Sequence, residues 1–377
     1  MVGGVRMLLL KPAAHTLLFF ALASVSVWAQ QPTEINPTAS TRTVALQSVV
    51  PSMNEEAADA DSQPASVFQT TVRNFFNQEK FTQLEEIADA ARSQKSRFQG
   101  GAWKIHSFYG AMQSPGSLTA TDAAWNAHME RLQRWIDFRP ESSTPRVALA
   151  VSYLRFAWKA RGNGTGDKVT AEAWKLFGER VRKAQDILEQ ARSISTKDPQ
   201  WYQTMQTVAL AQGWDHKQAE QLLEEASTVE PGYYYYYDAY ANYLLPKWYG
   251  KPGDSETFVK SIADRVGGDE GALIYFQVVL SLNCCKARAQ APEIAWDRVK
   301  QGFASLEQLD GSTSYERNAL AFMAVRQGDR EFAQQLFERI GNNWNDRVWG
   351  SKDKFESSKA SLSPIANGTS SGGHQLN

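Results

Sequence analysis

Seven tyrosines fall within the eleven positions from Tyr233 to Tyr243, in the stretch EPGYYYYYDAYANYLLPKWYGKPG. Tyrosine brings a large ring and a phenol that both gives and takes a hydrogen bond, so a cluster suits either a packed interior or a recognition surface. Advancing about 100° per residue from Tyr233 places Tyr236, Tyr237, Tyr240, Tyr243 and Leu244 on one stripe roughly 120° wide. Asp238 and Asn242 lie opposite, and Tyr234 and Tyr235 lie off the stripe. A stripe of this kind reads first as core packing. Five phenol oxygens on one face are many for a dry interior to satisfy, so some are expected at the edge of a groove beside Trp248 and Tyr249. Such a groove would take a peptide or a glycan. The candidate binding residues here are Tyr233, Tyr236, Tyr237, Tyr240, Tyr243, Trp248 and Tyr249.

A second group of chemistry-bearing residues is Arg92, Lys95 and Arg97, followed by Trp103. Cations near a helix C-terminus complement its dipole. The functional alternative is that Arg92 and Arg97 contact an anion or carboxylate beside Trp103. Catalytic constellations are missing. His106, His128 and His216 are not at metal-ligand spacing, and no H-E-x-x-H, G-x-S-x-G or P-loop motif occurs. His128-Met-Glu130 has the H-x-E of zinc deaminases without the P-C-x-x-C that would complete it. Adjacent acids such as Glu85-Glu86 and Glu224-Glu225 point to different helix faces. No catalytic residue, metal or cofactor is therefore expected, although carboxylates from distant helices could still converge.

The elements that must position these residues are helices. Apolar residues recur at three and four: Trp125, Met129, Leu132 and Ile136 form one stripe, and Val147, Val151, Leu154 and Trp158 another. Thr82–Glu85 and Thr313–Glu316 have capping-box spacing, and Pro140, Pro199, Pro231 and Pro246 fall at the ends of periodic runs. The pattern predicts roughly 13 or 14 helices paired by short turns. Gly213, Ala219, Leu223, Ala226 and Pro231 resemble the second half of a tetratricopeptide repeat. Ala321, Gly328, Ala333 and Phe337 give a second copy, and Ala184, Leu188 and Ala191 a partial third. The expected class is all-α, a degenerate tetratricopeptide-like array of helical hairpins winding into an α-α superhelix. A plain helical bundle is the alternative.

Residues 1–29 read as an export signal. Arg6 and Lys11 precede the apolar run TLLFFALASVSVWA, which is too short for a membrane span and ends at an expected cut after Ala29. Removing it takes away two cations and no acid, so the formal charge moves from −1 to about −3. That balance argues against a nucleic-acid partner. Residues 30–64 are expected to be a disordered leader, 65–350 the helical domain and 351–377 a disordered tail. The two cysteines, Cys284 and Cys285, are adjacent. Buried thiols, a vicinal disulfide, and intermolecular or metal chemistry all remain open for them.

Two motifs go beyond composition. Arg92, Ser93, Arg97, Phe98, Gly101 and Trp103 fit R-S-x-x-x-R-F-x-x-G-x-W, and Leu245, Pro246, Trp248 and Gly250 fit L-P-x-W-x-G. Together, over about residues 66–285, the chain resembles an uncharacterised bacterial family known only as a domain of unknown function. The resemblance implies an all-α, tetratricopeptide-like fold and no assigned reaction. The combined expectation is a periplasmic or secreted module that binds or scaffolds a protein or peptide partner, with no transmembrane segment after the leader. A cell-envelope glycan-binding or glycan-cleaving protein is the alternative.

Overall fold

A computed structural model describes residues 64–162, 164, 166–195, 197–283 and 294–362. The expected signal, nearly all of the expected leader, most of the expected tail and both cysteines lie outside the described residues. Within them the chain forms α1 (Ala65–Asn77), α2 (Phe81–Gln94), α3 (Lys104–Ala111), α4 (Asp122–Phe138), α5 (Thr144–Arg161), α6 (Ala171–Ala191), α7 (Pro199–Gln212) and α8 (His216–Val229). It continues with α9 (Tyr234–Tyr243), α10 (Asp254–Val266), α11 (Gly268–Asn283), α12 (Trp296–Leu309), α13 (Ser314–Gln327), α14 (Arg330–Ile340), α15 (Asp346–Trp349) and α16 (Lys352–Ala360). The class is all-α. Among the described residues the only β-type pairing is an isolated antiparallel bridge between Arg97 and Trp103. The helices outnumber the sequence estimate because short ones such as α3 and α15 carry too few turns to show a period.

Local signals account for most boundaries. Asp198 caps α7 by accepting from the Gln200 amide, and Pro199 opens the first turn, where its missing N–H costs nothing. Gly213 ends α7 in the left-handed region at φ 70°, and Gly328 ends α13 likewise at φ 73°. Thr313 and Glu316 form the expected capping box, and Asp215 and Gln218 form a second one on α8. The pair Thr82–Glu85 does not: α2 begins at Phe81, so Thr82 is already inside the helix, and Glu85 is drawn away by Trp135 and Ser142. The helical region also runs past 350. Phe355 on α16 is buried against Phe337 and Trp349, with ring centroids 5.2 and 5.5 Å apart.

Each helix packs on its chain neighbour, as in α5 with α6, α7 with α8, α11 with α12 and α13 with α14. Alternate helices also touch: α1 with α3, α3 with α5, α5 with α7, α7 with α9 and α9 with α11. The result is one row of helices backed by the intervening ones. The core is aromatic. Trp125, Trp135, Trp201, Tyr109, Phe108 and Phe276 are among the fully buried side chains, and each contributes about 1.5–3 kcal/mol by leaving water. Small residues set how closely helices approach. A Cβ on Gly302 of α12 would lie 2.3 Å from the Ala272 carbonyl oxygen of α11 and 2.7 Å from the Phe276 Cβ.

Two outcomes follow. Gly302→Ala forces α11 and α12 apart and should lower stability by about 1–3 kcal/mol in urea unfolding. His128 is buried with its Nε2 donating to the Met112 carbonyl at 2.8 Å, and burial pushes its pKa down to about 4 despite that bond. A histidine held neutral contributes stability above its unfolded pKa near 6.5, and that stability is lost as pH falls from there towards 4. His128 should contribute a drop of about 2–3 kcal/mol across that window, and His128→Gln should remove that share while the one from His106, lowered to about 4 by burial in the same way, remains.

Candidate functional site: a charged cleft behind the α2–α3 loop

The tyrosine helix α9 lies in the interior. Tyr233, Tyr234, Tyr236, Tyr237, Tyr240 and Tyr243 are all buried, and Tyr235 is half-buried. Tyr234, expected off the buried stripe, is inside because α9 touches α7, α8, α10 and α11 and has little outer face left. Several phenols find acceptors. Tyr233 donates to Gln200 Oε1 at 2.6 Å, Tyr237 to the Pro231 carbonyl at 3.0 Å and Tyr243 to the Trp214 carbonyl at 2.7 Å. Burial raises the pKa of each of these phenols. The half-buried Tyr235 stacks its ring on His106 at 3.6 Å with 10° between the planes.

The L-P-x-W-x-G turn closes back on α9. A Cβ on Gly250 would lie 1.9 Å from the Leu244 carbonyl oxygen, so only glycine fits. Tyr249 donates from its hydroxyl to the Leu210 carbonyl at 3.0 Å, and His216 Nε2 donates to the Tyr249 carbonyl at 2.8 Å. Trp248 is half-buried, edge-on to Trp158 at 6.4 Å, and Tyr249 is 38% exposed. The turn therefore ties α9 to α7 and α8, and it gathers Tyr240, Tyr243, Trp248 and Tyr249 at one end of α9. At the other end Trp103 meets Tyr233 edge-on at 5.3 Å. The aromatic candidates thus form two groups separated by the length of α9.

Arg97 and Trp103 belong to a clasp. Lys95 turns the chain out of α2 in the left-handed region, and residues 95–103 reach across to α11, α12 and α13. Arg97 donates from Nη1 to Glu270 at 2.5 Å and from Nε to Asp310 at 3.0 Å, with its guanidinium 5.7 Å from the Trp103 ring. Gln99 donates to the Ser312 carbonyl at 2.9 Å, the Gly100 amide to the Gly311 carbonyl at 2.9 Å, and Gln277 to the Gly100 carbonyl at 2.8 Å. Gly100 and Gly101 have positive φ, and a Cβ on either would meet Glu316 or Gln277 within 3.0 Å. The anion contacts expected of Arg97 are therefore made inside the chain.

Arg92 does the same one turn earlier. It donates to Asp198 at 3.0 Å, Thr144 at 2.9 Å and Asp89 at 2.7 Å, and Tyr109 donates to Asp198 at 2.5 Å. Burial works against the Arg92 charge, but Tyr109, Asp198 and Asp89 outweigh it and its pKa rises. This network floors a surface cleft of about 500 Å3 between α2, the 139–143 turn and the segment 194–198. Glu85 lines it with both oxygens fixed, one accepting from Trp135 Nε1 and the other from Ser142 Oγ, each at 2.9 Å. Burial raises the Glu85 pKa, partly offset by those two donors and by Arg92. Exposed Glu86 and Glu141 line the cleft, as do Arg139 and Lys197. Five carboxylates against three cations leave the cleft acidic. Of this group the sequence singled out Arg92 as an anion contact, and Glu85 and Glu86 only as adjacent acids on different helix faces. Asp198 was visible as the residue before a helix-opening Pro199, while Tyr109 and Glu85 carried no local signal of their own role. No set of His, Cys, Asp or Glu that could hold a metal occurs among the described residues.

Residues 69–218 match the family model described as domain of unknown function DUF4034. That stretch contains α2, the clasp loop, the cleft and α7. The L-P-x-W-x-G turn lies beyond it, so the match is narrower than the resemblance over 66–285. No curated protein matches the chain.

Replacing Arg97 by Met should strand half-buried Glu270 and Asp310 and cost about 1–3 kcal/mol in urea unfolding. Combining it with Glu270→Gln and Asp310→Asn should recover a measurable part of that loss.

Proposed function

We propose that this chain is a tetratricopeptide-like helical scaffold that binds a protein or peptide segment, and that the contact is made in the cleft beside Arg92. The observation that carries the reading is the cleft itself: an open cavity of about 500 Å3 in which Glu85 is held by Trp135 and Ser142, and Asp89 and Asp198 by Arg92. Preformed polar anchors reduce the ordering cost of binding, and a net-acidic lining favours a segment bearing Lys or Arg. The aromatic candidates serve this site indirectly, by packing α9 against α7, whose N-terminus carries Asp198. Export through the leader at 1–29 would place the module in the periplasm or outside the cell. No helix among the described residues is long and apolar enough to cross a membrane.

The test is titration calorimetry with a short lysine-rich peptide. Weak binding at low salt is expected, reduced about 3–10-fold by Glu85→Gln combined with Glu86→Gln. Equal binding by wild type and variant would sink the reading.

A second reading is glycan cleavage. It rests on Glu85 and Asp89, two carboxylates one turn apart on α2 that line the same cleft, the pair of acids that glycoside hydrolysis would call on. Release of shortened products from envelope glycan fragments, abolished by Glu85→Gln, would support it. Unchanged fragments after prolonged incubation would remove it.

A further inference from the structure

We propose that a stretch of this chain preceding the described residues, 44–61, docks in the groove between α4 and α6. Those two helices each pack on α5 and leave a cavity of about 480 Å3 over it. Met129, Leu149 and Ile187 are buried at its base, and Tyr153 is half-buried along it. The charges that line it are unanswered. Half-buried Arg146 donates to the Ser142 carbonyl at 2.6 Å, and among the described residues neither Arg146 nor exposed Lys183 forms an ion pair. Glu130 lines the α4 side, exposed and likewise unpaired among them. The groove shares no residue with the Arg92 cleft, so the two sites stand or fall separately.

An occupant must bring apolar side chains for the base and acids for the two cations. Residues 44–61 carry both in order. Val44, Leu46, Val49, Val50 and Met53 come first, then Glu55, Glu56, Asp59 and Asp61, with no Lys or Arg among residues 43–63. Pro51 breaks any continuous helix there, so the segment would lie extended. A stretch too polar to form a core of its own can still lay a few apolar groups on a preformed surface. Its reach is sufficient. Phe76 near the end of α1 packs on His128 of α4 with ring centroids 5.1 Å apart, and His128 adjoins Met129. The start of α1 is about 20 Å from that contact at 1.5 Å per residue, and α4 is about 10 Å across. The chain from Met53 to Pro64 extends up to about 35 Å. Joined to α1, the segment meets the groove at an effective concentration of roughly millimolar, so a weak contact suffices.

The test is photo-crosslinking in the full chain, with p-benzoylphenylalanine in place of Met53 or, in a second chain, of Val49. Mass spectrometry should find crosslinks within one chain to Met129, Leu149, Tyr153 or Ile187. Their yield should fall as salt is added, and it should drop about 3–5-fold in a chain carrying Arg146→Gln with Lys183→Glu. Adding Glu55→Lys and Glu56→Lys to that chain should restore at least half of the lost yield, which a merely structural role for the two cations would not do. Should the doubly altered groove fail to fold, Lys183→Glu alone, on an exposed side chain, should still lower the yield about 2-fold. The proposal fails if neither probe reaches the groove, if the crosslinks join two chains or a separate partner, or if the yield ignores both salt and the cation changes.

Discussion

The clasp built on Arg97 ties the α2–α3 loop to α11 and the end of α12, helices far along the described row. Its guanidinium reaches from the α2–α3 loop to Glu270 at the start of α11 and Asp310 at the end of α12. These partners are 173 and 213 residues away in the chain. Neighbour-to-neighbour packing alone would let a stack of hairpins flex about each interface. A polar knot spanning that much sequence removes this freedom. It is specific because the low-dielectric setting that strengthens each bond also penalises any arrangement that leaves a member unpaired. Burial pushes the Asp310 carboxyl up, Arg97 pulls it down and Glu270 adds to the rise.

From that constraint the cleft inherits its rigidity. The strand of chain leaving α2 is fixed at Arg97, so Arg92 at the end of the same helix can bridge Asp198 and Thr144 without wandering. Asp198 is also the N-cap of α7, which ties the cleft floor to a helix terminus rather than to a loose loop. Tyr109 adds a third element, α3, through its hydroxyl. Three helices thus converge on one carboxylate, and the acids that line the opening are carried by parts that cannot move independently.

How much of this could be read from the chain depends on range. The all-α class and the turns at Gly213 and Gly328 were legible because they depend on residues within a few positions of each other. The Thr313–Glu316 box was legible for the same reason. The Thr82–Glu85 box has identical spacing and fails, because Trp135 and Ser142, more than fifty positions later, compete for Glu85 and nothing local reports them. The tyrosine stripe was right about which face packs most tightly, yet Tyr234 is buried as well, since a helix with neighbours on several sides has few outward directions. Tyr235, placed off the stripe, is the member left half-buried. The basic run at 92–97 advertised charge, but apart from Asp89 on the same helix its acids are distant in the chain: Asp198 before α7, Glu230 after α8, Glu270 on α11 and Asp310 after α12.

The segment that matches the family, 69–218, ends before Glu270, Gln277, Asp310 and Glu316, all of which receive or enclose the 95–103 loop. The boundary of the matched stretch and the boundary of the loop's docking face are therefore different lines. Cut out alone, the matched part would expose a glycine pair shaped for a face it no longer has and leave Arg97 without Glu270 and Asp310. Whatever sequence follows that part must supply acids at the same two corners for the loop to dock as it does here.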